Sequence, residues 1–596
     1  MKHILNFTLA ILLAFQFSFS QTILDDIQAN IKYFSSDELE GRRAGEKGNT
    51  TAAHYIAEQF KKYQLETISN DKSYFQQFEI VTGVKVGERT SCVAMVGHQT
   101  IELLLDSMFR PLGFSEDGTA SSELVFVGYG ISSEKLQYDD YANMDVNGKI
   151  VVALRFSPPT DSTNRREFER LSSFRNKARI AREKGAAGII FVTGPLDEEV
   201  PKLMRLRHDN EEGSAGLVVL NLKWTALDSL FTLNGKSLRS VQKEINETKK
   251  PASFILQNTT MNITVALNKI KAKTQNVIGL LRANTMSEEY IIIGAHFDHL
   301  GFGGEGSGST KPDTIAIHNG ADDNASGTSG MLALARLFSE NRKQLNRNII
   351  FMGFTGEEMG LLGSAYYSRT PLFPLEKTVG MINLDMIGRL KDKTLTVYGT
   401  GTSPSFDSLL NVFNADSMFI LKKTKDGFGP SDQTSFYVKD IPVLFFFTDL
   451  HDDYHKPSDD WEKINYEGEE QVVRYVFNIA NAMQSSAVKP QFTRVDVPQQ
   501  GQMEGDRRGN RASLGVVPAF GEEIKGAKIT GTRSGSAAEK AGLQKDDIII
   551  RLAGKEVLNL MDLTNLLADH NPGDEVEIVV LRGTEQVTLK AVLGKR

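Results

Sequence analysis

The chain has 596 residues, more than one hydrophobic core can hold, so about three or four domains are expected. Its 40% hydrophobic and 24% charged residues are ordinary for a soluble globular protein. With 68 basic against 75 acidic residues the net charge is −7, and no long Lys/Arg run offsets it, which argues against a nucleic-acid partner.

Residues 1–20 read as a secretory signal peptide. Lys2 and His3 precede an interrupted apolar stretch from Ile4 to Phe19, and Ser18 and Ser20 give a small-x-small pattern before Gln21. The run is too short and broken for a membrane anchor, and no later segment is long or apolar enough to span a bilayer. The mature chain is therefore expected to be exported, to periplasm or medium, with no membrane span after cleavage. Cys92 is the sole cysteine, which excludes intramolecular disulfides and multi-cysteine zinc sites and leaves a buried, inert thiol.

From Thr22 to about Met108 the pattern is helical and then strand-like, with helical spacing over Thr51–Tyr63. Short strands are expected at Glu123–Gly130, Lys149–Leu154 and Gly188–Val192, with a helix at Lys177–Lys184 closed by Gly185. This change of texture marks 109–250 as an insert between two halves of a core, 21–108 and 251–485. A polar linker covers 486–510. The tail, 511–596, alternates short strands with helices at Ser536–Ala541 and around Asp562–Ala568.

Four apolar runs of the resumed core share one feature. Tyr290–Gly294 ends at His296 and Asp298, Asn348–Phe354 at Glu357 and Glu358, Thr378–Leu384 at Asp385, and Ile441–Phe447 leads into His455. Short continuous apolar runs predict strands buried on both faces of a parallel sheet. Such sheets bind ligands at the carboxyl ends of their strands, and each run delivers a carboxylate or imidazole to that edge. Asp323, ahead of a helical stretch at Met331–Phe338, is the fifth candidate. One such residue alone is usually a cap or a surface charge; the convergent set points to a site. Two imidazoles with three carboxylates suit zinc better than calcium or magnesium. Five ligands exceed what one catalytic zinc needs and suit two ions sharing a carboxylate.

The motifs GAHFDHLG (294–301), GADDNASG (320–327), FTGEEMGLLGS (354–364), NLDMIGR (383–389) and DYHKPSDD (453–460) resemble those of the co-catalytic di-zinc aminopeptidase family. The resemblance implies two zinc ions, with Asp323 bridging them, His296 and Asp385 completing one site, and Glu358 and His455 the other. It further implies Glu357 as general base, Asp298 as the partner orienting His296, Tyr454 as an oxyanion stabiliser, and a cis bond between Asp323 and Asn324. The segment Gly429–Phe436 departs from the family pattern at Gln433, where His is usual; no metal role rests there. His299, His318 and His451 are assigned to structure or surface.

The stretches LVFVGYGI (124–131), NGKIVVALR (147–155) and ARIAREKGAAGIIFV (178–192) resemble a protease-associated domain. The tail, through SLGV (513–516) and residues 526–557, resembles a bacterial-protease PDZ domain, which would hold a peptide carboxylate at Leu514, Gly515 and Val516. The implied fold is α/β, a mixed, largely parallel central sheet flanked by helices (the zinc exopeptidase fold), with a mainly-β insert and a C-terminal PDZ domain. The implied activity is release of N-terminal residues from peptides. Carboxypeptidase or glutaminyl-cyclase-like activity on the same fold, or an inactive peptide-binding receptor, are the alternatives.

Overall fold

The four apolar runs form the parallel middle of an eight-stranded sheet. Its order is Phe75–Val86, Leu267–Leu281, Asn348–Phe354, Tyr290–His296, Thr378–Leu384, Val443–Phe447, Thr394–Tyr398 and Ile420–Thr424. Adjacent strands among the middle four pair in parallel, for example Tyr290 with Asn348 and Met381 with Val443. Every residue of Asn348–Phe354 and Thr378–Leu384 is buried, because helices cover both faces. Side chains alternate between two cores: Ile291 and Ile293 pack with Met331, Leu334 and Phe338 of the helix Gly327–Glu340, while Ile292 packs with Met352, Tyr367 and Phe436. The computed structural model describes residues 22–595, apart from 69–71, 161–163, 209–212, 305, 496–511, 520–523 and 534. The expected signal peptide and most of the expected linker lie outside the described residues. No described helix is long and apolar enough to cross a membrane.

A second eight-stranded sheet is inserted between the halves of the first. It runs in the order Gln99–Leu103, Ser91–Val96, Phe254–Val265, Gly118–Phe126, Ile150–Leu154, Gly188–Val192, Val218–Leu222, Phe109–Pro111. Helices Arg165–Leu171, Phe174–Glu183, Trp224–Leu233 and Leu238–Thr248 accompany it. Gly185, at φ +84°, follows the second of these, a backbone conformation that side chains resist. The sheet thus spans 91–265, wider than the expected 109–250. The reason is the crossing itself. Phe75–Val86 and Leu267–Leu281 pair antiparallel from Phe75–Val277 out to Val86–Leu267, so two continuous strands carry the chain across and no change of composition marks the boundary. Cys92 is buried here, and burial pushes its thiol up to about 12, an inert group as expected.

The tail forms a third unit. Strands Val516–Pro518, Ala527–Thr532, Ile548–Leu552, Glu575–Arg582 and Glu585–Val592 make a sheet whose core also takes Ala537 and Ala538 of one helix and Leu563 and Leu566 of the helix Leu560–Ala568.

Candidate metal centre

The carboxyl ends of the four parallel strands bring together His296, Asp323, Glu357, Glu358, Asp385 and His455. The donor atoms form two groups of three that share one residue. His296 Nε2 stands 3.3 Å from Asp385 Oδ1 and 3.5 Å from Asp323 Oδ1. His455 Nε2 stands 3.1 Å from Asp323 Oδ2 and 3.1 Å from Glu358 Oε2. Tetrahedral donors at about 2.0–2.1 Å from one zinc lie ~3.3 Å from each other, and each imidazole stands at about that separation from its two carboxylates. Each imidazole is anchored through its other nitrogen: His296 Nδ1 donates to the Asp298 carbonyl at 3.2 Å and His455 Nδ1 to the Gly308 carbonyl at 2.9 Å. That leaves Nε2 of each ring as the lone-pair donor, the arrangement that fixes a metal-binding tautomer.

The charges also fit a cation. Burial, reinforced by Glu358, raises the Asp323 carboxyl, and burial with Glu358, Asp385 and Asp432 pushes Glu357 well above the carboxylate range. Burial would lower both imidazoles, yet the acids prevail: Asp385 and Glu357 hold His296 well above its usual value, and Asp323 and Glu358 push His455 up to about 11. Asp323, Glu357, Glu358 and Asp385 crowd one buried space, and the guanidinium of Arg42 beside them leaves most of that negative charge uncompensated. Divalent ions would remove that conflict.

The loops carrying these groups are cross-linked. The Asp323–Asn324 bond is cis, as the motif implied. The Asn324 side chain donates to the Leu384 carbonyl at 3.0 Å and accepts from the Met386 and Gly327 amides at 3.1 and 2.8 Å, tying the Asp323 loop to the Asp385 loop. Asp298 Oδ1 accepts from the Glu357 amide at 3.1 Å and lies 3.7 Å from His296 Nδ1. It is thus the Asp298 backbone that hydrogen-bonds His296, while its carboxylate holds the loop of Glu357. The Tyr454 ring stacks on His455 with centroids 3.8 Å apart.

Several participants escaped sequence reasoning. His299, expected to be structural or superficial, is buried inside the cluster, with Nδ1 2.7 Å from Glu358 Oε1 and 3.9 Å from Asp323 Oδ2. It could also complete the second group of donors. Burial and the nearby Arg42, His455 and His296 drive its pKa well below the usual imidazole value. The HFDH spacing, two imidazoles flanking an acid, was the available signal. Asp459 Oδ2 accepts the amides of Asp322 and Asp323 at 2.9 and 3.0 Å. Arg42 is wholly buried and donates to the carbonyls of Phe297, Asn319 and Gly320. Nothing in the local sequence marks Arg42; besides the nearby Phe34 carbonyl, its acceptors Phe297, Asn319 and Gly320 lie more than 250 residues away. His318 contacts Ser309 at 2.8 Å and His451 faces Asp322 at 3.2 Å, both structural positions. Gln433 is buried and accepts from Asn383 at 3.1 Å.

In the tail, Leu514 is buried in the core, Gly515 turns at φ +74°, and Val516 opens the edge strand. A Cβ on Gly515 would stand 2.4 Å from that of Ser536, so the loop closes only around glycine.

Residues 276–480 match peptidase family M28, and residues 503–593 match the PDZ domain. Aminopeptidase YwaD of Bacillus subtilis is 24% identical over 276 residues, which are 43% of this chain and 54% of that protein. Serine protease Do-like HtrA of the same organism is 43% identical over 84 residues, 14% of this chain and 19% of that protein. Among solved structures, the aminopeptidase from Aneurinibacillus sp. strain AM-1 aligns over 81% of this chain and 98% of its own, with a TM-score of 0.47 and 21% identity. The chain spans about half of YwaD and about a fifth of HtrA.

Proposed function

We propose, for a chain that carries a peptidase family M28 domain and a C-terminal PDZ domain, that it is an exported zinc aminopeptidase removing N-terminal residues from peptides. The observation that carries this reading is the pair of three-donor groups sharing Asp323. His296 and Asp385 would hold one zinc ion and His455 and Glu358 the other, with Asp323 as a ligand common to both. Bound there, the ions would acidify water and polarise the scissile carbonyl.

The protein's own groups do the rest. Glu357 Oε2 lies 4.0 Å from His296 Nε2, one water's reach from the donors, and its loop is pinned by Asp298. It takes the proton of the attacking water and delivers it to the leaving amine, general base and then general acid. Tyr454, whose ring stacks on His455, would stabilise the oxyanion. The inserted sheet, read as a protease-associated domain, shapes access to the site.

Glu357→Gln is expected to keep its metal and lose turnover by about 10²–10⁴-fold. Wild-type turnover by that variant would remove Glu357 from the mechanism. A chelator should abolish activity, and metal analysis should return about two zinc ions per chain. Peptides with free and with blocked N-termini decide the direction of attack: cleavage of the blocked set alone would sink the aminopeptidase reading and favour a carboxypeptidase. Export is checked by fractionating cells and sequencing the mature N-terminus.

A further inference from the structure

A cavity of about 1110 Å³ lies where the three units meet. Glu358 and Met359 line it from the loop after the strand Asn348–Phe354, Glu116 from the insert, and Ala519, Leu560 and Thr564 from the tail. It exceeds the usual range of a small-molecule pocket, ~300–1,000 Å³. Its lining joins a residue of the metal centre to the first turns of the tail helix Leu560–Ala568.

Among the described residues the strand Val516–Pro518 is at the edge of its sheet and pairs with Ala527–Thr532 alone, so its other edge can take an added strand. A peptide whose carboxylate sits at Leu514–Val516 has its C-terminus at the start of that strand. It must then run antiparallel to the strand, with its N-terminal side leaving past Pro518 and Ala519. Ala519 lines the cavity. The polarity is the one an aminopeptidase needs: the N-terminus emerges into the space that reaches Glu358.

The tail is held in this orientation from two sides. Arg182 pairs with Asp562 at 2.6 Å, and Arg170 and Arg179 meet Asp569 at 3.0 and 3.2 Å, fixing the helix Leu560–Ala568 on the insert. Arg494 bridges Asp440 of the peptidase unit at 2.7 Å and the Thr532 carbonyl of the tail at 2.9 Å. Thr532 is the residue paired with Val516.

We infer that the tail groove and the metal centre act on one polypeptide through this shared chamber: the tail captures the C-terminal carboxylate of an extended peptide and thereby presents its N-terminus for cleavage. The inference rests on the aminopeptidase reading and adds to it a substrate class, unfolded peptides with a free C-terminus.

The test is N-terminal residue release from peptides of one N-terminal sequence, ~4 to ~20 residues long and so up to ~70 Å when extended, each as free acid and as amide. Short peptides should show no difference. Beyond a threshold length the free acid should gain about tenfold in kcat/KM over the amide, through KM, because the second contact is intramolecular. Thr564→Trp, at an exposed position of the groove helix, should bring the long free acid down to its amide. Equal rates for acid and amide at every length, or a difference that survives Thr564→Trp, overturn the shared chamber while leaving the aminopeptidase intact. Release from no peptide at all overturns the aminopeptidase reading, and the chamber with it.

Discussion

At the scale of single residues, the second layer decides how well the donors are held. Asp459 gives one oxygen to two consecutive amides, those of Asp322 and Asp323, and so fixes the backbone of the shared ligand. Its other oxygen faces Arg389 at 3.5 Å and His451 at 4.0 Å. In Asp459→Asn the amide nitrogen must face either the two backbone donors or the Arg389 and His451 side chains. The expected result is a metal affinity ~10–100-fold weaker with the fold intact, read by competition with a chelator. Unchanged affinity would show that the Asp323 loop holds itself. Arg42 works from the opposite side, and Arg42→Met would leave several buried carbonyls without a donor. A loss of about 3 kcal/mol or more in unfolding free energy is expected by denaturant titration.

At the scale of elements, the site is a property of strand ends and of the helices that close over them. The helix Tyr466–Ser485 buries Glu469 near Asp322, and burial together with that second carboxylate raises its pKa well above the usual range. A carboxyl whose folded value is raised contributes stability below its unfolded value and loses it as pH climbs through the folded one. The melting temperature of the wild type should therefore fall as pH rises from the ordinary Glu range upward. Glu469→Gln, the neutral isostere, should flatten that fall and be the more stable protein at alkaline pH. Parallel melting curves for the two across pH would show that Glu469 carries none of this dependence.

At the scale of the whole molecule, three units meet at one cavity, and charged pairs hold the tail against the insert. Asp569 serves two guanidiniums at once, one of them, Arg179, with its side chain only 2% exposed. Asp569→Lys sets an ammonium against both. The tail should then undock, seen as a larger radius of gyration in small-angle scattering, and long peptides should lose their advantage. An unchanged scattering profile would mean that the contacts around Arg494 suffice. High salt should act in the same direction but more weakly, because buried pairs are screened less than exposed ones.

The sequence by itself determined the parallel middle of the sheet and the residues at its carboxyl ends. Both are written locally: continuous apolar runs mean burial on both faces, and each run stops at an acid or an imidazole. The helix stop at Gly185 was legible for the same reason. What only the tertiary structure decided depends on distant segments coming together. His299 became part of the cluster because Glu358, 59 residues on, folds against it. Arg42 and Asp459 act through backbone carbonyls and amides, which carry no sequence signal. The insert begins at Ser91 rather than 109 because two strands cross between sheets without any change of residue type. The chamber belongs to no single unit, and its lining exists only once all three have docked.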